Sequence, residues 1–280
     1  MLEDVRSIPR TSEERIRKAL PFPGLIPDGG FPRNDFTYGV AMFQHGYLDQ
    51  AEESFQQVIA AKPRNAEAYY NLGTLYLRRK SPTEARRFLR QAIDLQPDYP
   101  AAWNNLGLIA AQENQNDEAI RNFQRSLELR SNYAVALLNL GNVYRRVGNN
   151  DEAQKYLFAA LQAEPNDPEA NYSVGMLCAR QSKVEDALKY LEKAVRLRPD
   201  YADALNNLGV LYIREQRYPD AEARFKTCIQ VSPDFDQPYL NLARLYVLLH
   251  EDDKAKQTLQ ALLRLQPDHK MAQQALEMLH

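Results

Sequence analysis

Residues recur along this 280-residue chain at a fixed step of 34. Proline stands at Pro63, Pro97, Pro165, Pro199, Pro233 and Pro267, with Ser131 at the one interruption. Asn-Leu-Gly returns on the same step at residues 71–73, 105–107, 139–141 and 207–209. A period of this length marks a repeat architecture in which each unit packs on its neighbours. As a globular protein the chain would be expected to form about two domains; as repeats it forms one continuous array. Such an array leaves little room for an active site, so function turns on the surface the repeats present.

The unit at residues 66–99 shows how the period encodes structure. Tyr69, Leu72, Gly73 and Tyr76 follow the i, i+3, i+4, i+7 spacing of one helical face. Lys80-Ser81-Pro82 breaks that helix, and a second begins near Thr83-Glu84 with Ala85, Leu89 and Ala92 facing inward. Thr83, and in register Asp49, Asp117, Asp151 and Asp253, are expected to cap or favour that second start. Pro97 ends the second helix, and Asp98 (with Asn132, Asn166, Asp200, Asp234 and Asp268) falls where the next helix needs a cap.

Two columns of small residues run through the array. Gly39, Gly73, Gly107, Gly141, Gly175 and Gly209 form one, completed by Ala243; Ala51, Ala85, Ala119, Ala153, Ala187, Ala221 and Ala255 form the other. Glycine inside a helix costs up to about 1 kcal/mol against alanine, so its recurrence needs a packing reason. Close approach of the paired helices, small face to small face, is expected.

These residues resemble the tetratricopeptide repeat family, through the 34-residue period, Leu72-Gly73, Tyr76, Ala85, Leu89, Ala92 and Pro97. The resemblance covers seven units: 32–65, 66–99, 100–133, 134–167, 168–201, 202–235 and 236–269. Asp35 and Met42 in the first, and Ala110 and Ser131 in the third, depart from the family pattern. The resemblance implies an all-α fold, a right-handed superhelix (an α-solenoid) of seven helix-turn-helix repeats. Residues 270–280 read as a C-terminal capping helix, with Met271, Ala272, Ala275, Leu276 and Leu279 towards the last repeat. At the other end, residues 1–31 read as a helix from Thr11 followed by a Pro/Gly-rich strap over 21–30. The strap resembles a linker more than a natural start, which leaves a longer parent protein among the expectations.

In the family, first helices line the concave face. The residue before Leu-Gly is expected there: Thr37, Asn71, Asn105, Asn139, Ser173, Asn207 and Asn241. Asparagine is a mediocre helix former, so five in seven places call for a reason. A carboxamide can pair with both the N–H and the C=O of an extended peptide. The column is similar to the asparagine ladder of the O-GlcNAc transferase repeat domain and of kinesin light chain. The other reading is local: the carboxamides bond within the inter-helix junction.

Two turns further stand Gln44, Arg78, Gln112, Arg146, Arg180, Arg214 and Leu248. The four arginines either form a basic rail that pairs with carboxylates or answer the helix dipole as solvated helix ends. Tyr70, Tyr172, Asn104, Asn206 and Asn142 are expected nearby on the same face. Glu67, Glu169 and Asp203, near first-helix starts, read as dipole partners. No lysine occupies the fifth place of any unit, which disfavours the family's clamp for chaperone tails.

Other chemistry is sparse. His45, His250, His269 and His280 show no ligand spacing, so neither metal nor cofactor is expected. Cys178 and Cys228 fall at apolar places and read as buried free thiols. Asn171-Tyr172-Ser173 matches a glycosylation sequon inside a helix. With 35 basic and 37 acidic residues the net charge is −2, which gives no strong field for nucleic acid or anionic lipid. No apolar run reaches membrane-spanning length, and the first twenty residues lack the apolar core of a secretory signal. A cytoplasmic location is expected, or an extracytoplasmic one if the chain is a piece of a longer protein.

Three functions follow as expectations. The first is a non-enzymatic scaffold that binds an extended, acidic or disordered protein segment. The second is a self-assembling protein joined end to end, or strap to groove. The third is the targeting domain of a larger enzyme.

Overall fold

The computed structural model describes residues 36–279. The expected N-terminal helix, the strap over 21–30 and residues 32–35 of the first repeat lie outside the described residues. Among the described residues there are fifteen α-helices and no strands. The chain divides into two compact units, the first ending at Ser131 and the second starting at Asn132.

The first unit holds three helix pairs: α1 (Phe36–Gln44) with α2 (Leu48–Ala61), α3 (Ala66–Arg78) with α4 (Pro82–Leu95), and α5 (Pro100–Gln112) with α6 (Asn116–Leu129). The second holds four: α7 (Ala134–Val147) with α8 (Asn150–Ala163), α9 (Pro168–Arg180) with α10 (Val184–Leu197), α11 (Ala202–Arg214) with α12 (Tyr218–Val231), and α13 (Asp236–Leu248) with α14 (Asp252–Leu265). A single helix, α15 (Lys270–Glu277), follows. Within each unit every helix packs on its sequence neighbours, and first helices also touch, as α1 with α3 and α7 with α9.

All seven alanines of the second-helix column are fully buried. The glycines, however, meet chiefly a larger side chain. A Cβ on Gly107 would sit 2.5 Å from the Phe123 ring, and one on Gly73 or Gly141 would meet Leu89 or Leu157 at 2.6 or 2.7 Å. The glycine is thus a socket for a large side chain sixteen residues on, and small-against-small packing is corrected to small-against-large. Phe55, Phe123 and Phe225, fully buried, fill three of these sockets.

The turn inside each pair has one form. Gly46, Lys80, Asn114, Gly148, Ser182, Gln216 and His250 all adopt positive φ, between 57° and 87°. The next N–H reaches back five residues, as in Ser81 to the Tyr76 carbonyl at 2.9 Å and Arg217 to that of Tyr212 at 2.8 Å. This is the Schellman closure, which satisfies carbonyls that a helix end leaves open.

Both capping expectations shift by position. Pro63, Pro165, Pro199 and Pro233 are each followed by the central second residue of a β-turn, closed by bonds such as Tyr201 N–H to the Arg198 carbonyl at 3.1 Å. The residue after Pro is therefore a turn residue, and the cap comes one later. Asn65, Asp167 and His269 accept there from backbone N–H groups, while the side chains of Tyr99, Tyr133, Tyr201 and Phe235 at the same place make no capping bond to the helix start. In the second helices, Asp49, Asp117, Asp151 and Asp253 lie inside the first turn, where they complement the dipole; Asn149 is the side chain that caps α8.

Four prolines of the column have a further role, their carbonyls being claimed six residues on, as Asn171 claims that of Pro165. Trp103 donates through Nε1 to the Pro97 carbonyl at 2.9 Å, Tyr239 Oη to that of Pro233 at 3.1 Å, and Gln273 Nε2 to that of Pro267 at 2.9 Å.

At the C-terminal end α15 covers the last pair incompletely. Ala272 is buried, but Met271 is 51% exposed and Met278 88%. A cavity of about 440 Å³ lies between α13 and α15, lined by Leu240, Ala243, Val247, Leu259, Met271 and Met278 among others.

Candidate functional site

The asparagine column lies at mid-length on the first helices, and all five side chains are half-buried. Asn71 donates through Nδ2 to the Glu67 carbonyl at 2.8 Å, and Asn207 to the Asp203 carbonyl at 2.8 Å. A carbonyl accepts only, so these two amides have one orientation. The same nitrogens brace neighbouring repeats. Asn207 also donates to Tyr172 Oη at 3.2 Å, Asn105 to Thr74 Oγ1 at 3.2 Å, and Asn241 to Asn206 Oδ1 at 2.9 Å. Asn105 Oδ1 accepts from Asn104 at 3.2 Å. No described residue donates to Oδ1 of Asn71, Asn207 or Asn241. Asn139 sits half-buried on α7 in the same column.

Arg78, Arg146, Arg180 and Arg214 are exposed at the C-terminal ends of α3, α7, α9 and α11. Two of them reach back to the preceding first helix. Arg78 Nη1 donates to the Phe43 carbonyl at 2.8 Å, and Arg180 Nη1 to the Arg145 carbonyl at 2.6 Å. Each cation therefore lies against the carbonyl end of a neighbouring helix, where the dipole favours it. The Arg78 guanidinium also stands 5.5 Å from the centre of the Phe43 ring.

Tyr70 and Tyr172 each pack against a tyrosine at the next cap. Tyr70 lies 4.7 Å from Tyr99 between ring centres, and Tyr172 5.0 Å from Tyr201. Burial raises the Tyr172 phenol, with Asp203 adding to the shift, and burial with Glu169 raises that of Tyr201. Asn104 and Asn206, expected on the open face, are 2% and 8% exposed and lie in the seam between repeats. Asn142 accepts through Oδ1 from Nε and Nη2 of Arg145, both at 3.4 Å.

Arg145 was not among the expected site residues. Its place holds Phe43, Leu77, Ala111, Ala179, Ile213 and Val247 in the other units, so a lone arginine in an apolar column was the available signal. Burial lowers its pKa, and the nearby Arg180 and Arg146 charges push the same way.

Other expected groups take structural roles. Asn171 is fully buried and donates to the Asp167 and Pro165 carbonyls at 2.7 and 3.2 Å, so its sequon is inaccessible in the fold. Cys178 and Cys228 are buried free thiols. Cys228 donates to the Ala202 carbonyl at 3.2 Å, and burial pushes its pKa up to about 12. His269 accepts from Ala272 N–H at 3.2 Å and meets Asp236 at 2.9 Å. Glu169 pairs with Arg198 at 3.4 Å. Among the described residues no group of three or more His, Cys, Asp or Glu could hold a metal, and no helix is long and apolar enough to cross a membrane.

Comparison with solved structures shows the same fold in proteins of low identity. A chain of the APC/C hetero-tetramer Cut9–Hcn1 matches with a TM-score of 0.74 at 21% identity over 86% of this chain, which spans 48% of that one. PilF of Pseudomonas aeruginosa matches with a TM-score of 0.67 at 24% identity, over 76% of this chain and 98% of its own. YrrB, a protein with an unusual peptide-binding site, matches with a TM-score of 0.52 at 24% identity, over 67% and 97%. No curated protein matches at the sequence level. Family models described as tetratricopeptide repeat match residues 39–100, 138–201 and 179–227 in one case, 98–164 in another and 213–279 in a third. With their period, sockets and paired helices, these residues place the chain in the tetratricopeptide repeat family.

Proposed function

We propose that this protein is a non-enzymatic scaffold that binds an extended segment of another protein along the first-helix face. Tetratricopeptide repeats are a protein-interaction fold. The observation that carries the finer reading is the state of Asn71 and Asn207. Each amide nitrogen is fixed on a backbone carbonyl four residues back, and each Oδ1 is left without a described donor. The column therefore offers acceptors held in one direction, which suit the backbone N–H groups of an extended chain whatever its side chains. Holding them beforehand lowers the ordering cost of binding.

The test compares wild type with the double variant Asn139→Ala, Asn207→Ala on an immobilised library of extended decapeptides. Two lost hydrogen bonds at about 0.5–1.5 kcal/mol each should weaken binding by roughly tenfold. Equal affinities would sink the ladder mechanism.

The exposed apolar end favours a second reading, association with another copy. Met278, Met271 and Val247, which line the cavity beside α15, are 88, 51 and 42% exposed. Contiguous apolar surface of this kind marks contact sites. Light scattering on wild type and Met278→Glu should show a larger species lost in the variant; a monomer in both removes this reading.

A further inference from the structure

The second unit contains a charged side chain that the fold does not explain. Arg145 is half-buried on α7, at a place where the other units carry apolar or small residues. The equivalent place on α1 is Phe43, whose ring receives the following repeat's Arg78. On α7 the same geometry places Arg180 Nη1 on the Arg145 carbonyl at 2.6 Å, and the Arg180 charge bears on the Arg145 guanidinium. Arg146 is the next residue on that helix.

No described carboxylate neutralises the two guanidinium groups of Arg145 and Arg180. The Arg145 guanidinium is held by Asn142 Oδ1, a neutral acceptor at 3.4 Å, and no described carboxylate pairs with Arg145 or Arg180. Of the acids around Tyr172 and Tyr201, Glu169 pairs with Arg198 at 3.4 Å, and neither Glu169 nor Asp203 pairs with Arg145. Those two phenols have raised pKa values, so they stay neutral at pH 7 and cancel no charge. Like charges gathered in a half-buried place destabilise the free protein. A local rule broken without internal compensation marks a functional place.

We infer that the second unit holds an anion-recognition site centred on Arg145, whose ligand is a carboxylate side chain of the bound peptide. A carboxylate matches the planar fork of a guanidinium in two parallel hydrogen bonds. Asn142 orients the fork from one side, and Arg180 adds a second positive charge. Asn207, linked to Tyr172 at 3.2 Å, supplies a backbone acceptor in the same region. An extended acidic segment thus meets an acceptor for its main chain and a cation for its side chain. This proposal rests on the first-helix face being the binding face.

The experiment uses the full chain and two fluorescein-labelled probes, hexaglutamate and hexaglutamine, followed by anisotropy at low and high salt. Wild type should bind hexaglutamate, more weakly as salt rises. Arg145→Leu, which installs the residue found at Leu77, should keep or raise its melting temperature and lose at least about tenfold in affinity. Arg264→Leu, an exposed arginine of α14 with the same change of charge, should bind as wild type does. Arg145→Lys tests the fork without deleting the charge, and it should lose several-fold. Hexaglutamate affinity unchanged in Arg145→Leu, or lost equally in Arg264→Leu, overturns the site; so does equal binding of both probes by wild type. If Arg145→Leu loses affinity while Asn139→Ala, Asn207→Ala does not, the anion site stands and the ladder falls. The reverse pattern removes the anion site alone.

Discussion

Arg180 reaches across Gly148 to donate to the Arg145 carbonyl, and its Nη2 would lie 3.3 Å from any side chain begun at Gly148. One repeat end is thereby closed by the next. The same pairing occurs three units earlier, where Arg78 passes over Gly46 with 3.8 Å to spare. Of the seven left-handed turn residues, these two are the glycines. At Gly148 two demands meet: a φ of 87°, and room for the neighbouring guanidinium.

Gly148→Ala should therefore destabilise the protein by about 1–2 kcal/mol, through left-handed strain and crowding of Arg180. Gly148→Asn should cost less, because Asn114 fills the same turn place at a φ of 60°. Urea denaturation of both variants measures the difference.

The opposite change is expected to help elsewhere. Gln216 holds a φ of 57° with a full side chain. Gln216→Gly relieves that strain but adds freedom to the unfolded chain, so a net gain of up to about 1 kcal/mol is expected. A lower denaturation midpoint than wild type would remove this account.

Gly107→Ala should overpack its socket. The added methyl falls 2.5 Å from the Phe123 ring, in a core with no slack. The expected loss is about 1–3 kcal/mol, despite alanine's better helix propensity. The reverse change, Ala243→Gly at a buried place that lines a cavity with Leu259, should cost about 1 kcal/mol through helix propensity and the lost methyl contact. Thermal melts of the two variants give the comparison.

Alkaline pH should unfold the protein before its ordinary groups would require it. Burial pushes the Cys228 thiol up to about 12, and burial with the Glu192 hydrogen bond pushes the Tyr212 phenol up to about 12. The unfolded chain releases these protons near about 8.5 and 10. The folded state binds them more tightly, so their contribution is complete below about pH 8.5 and fades as pH rises towards 12. Cys228→Ser should fold normally, since Ser126 donates to the Pro100 carbonyl from the same place at 2.8 Å. Its melting temperature should fall less than that of wild type between about pH 8.5 and 10.

The columns legible in the sequence were those defined by size. Gly73, Ala85 and Pro97 announced a packed pair and a turn, and the helices fall there. Which small residue met which partner was not legible, because the crossing of two helices decides it: Gly73 faces Leu89, not Ala85 alone. The caps slipped by one place because Pro and its successor are both consumed by a β-turn. The left-handed column was hidden because Lys80, Asn114, Ser182, Gln216 and His250 share no chemistry. At the site, the asparagines were visible by recurrence. Arg145 was not legible because it occurs once, in a column that is otherwise apolar or small.

The proline carbonyls at Pro97, Pro165, Pro233 and Pro267, each taken up six residues later, have a consequence for how the chain reaches its fold. Such a bond closes a very short loop, and so do the socket contacts sixteen residues apart. A chain whose decisive contacts are this near in sequence gives up little entropy in finding them. Adding or deleting one 34-residue segment should thus change the speed of folding very little, and assembly can begin at several segments at once.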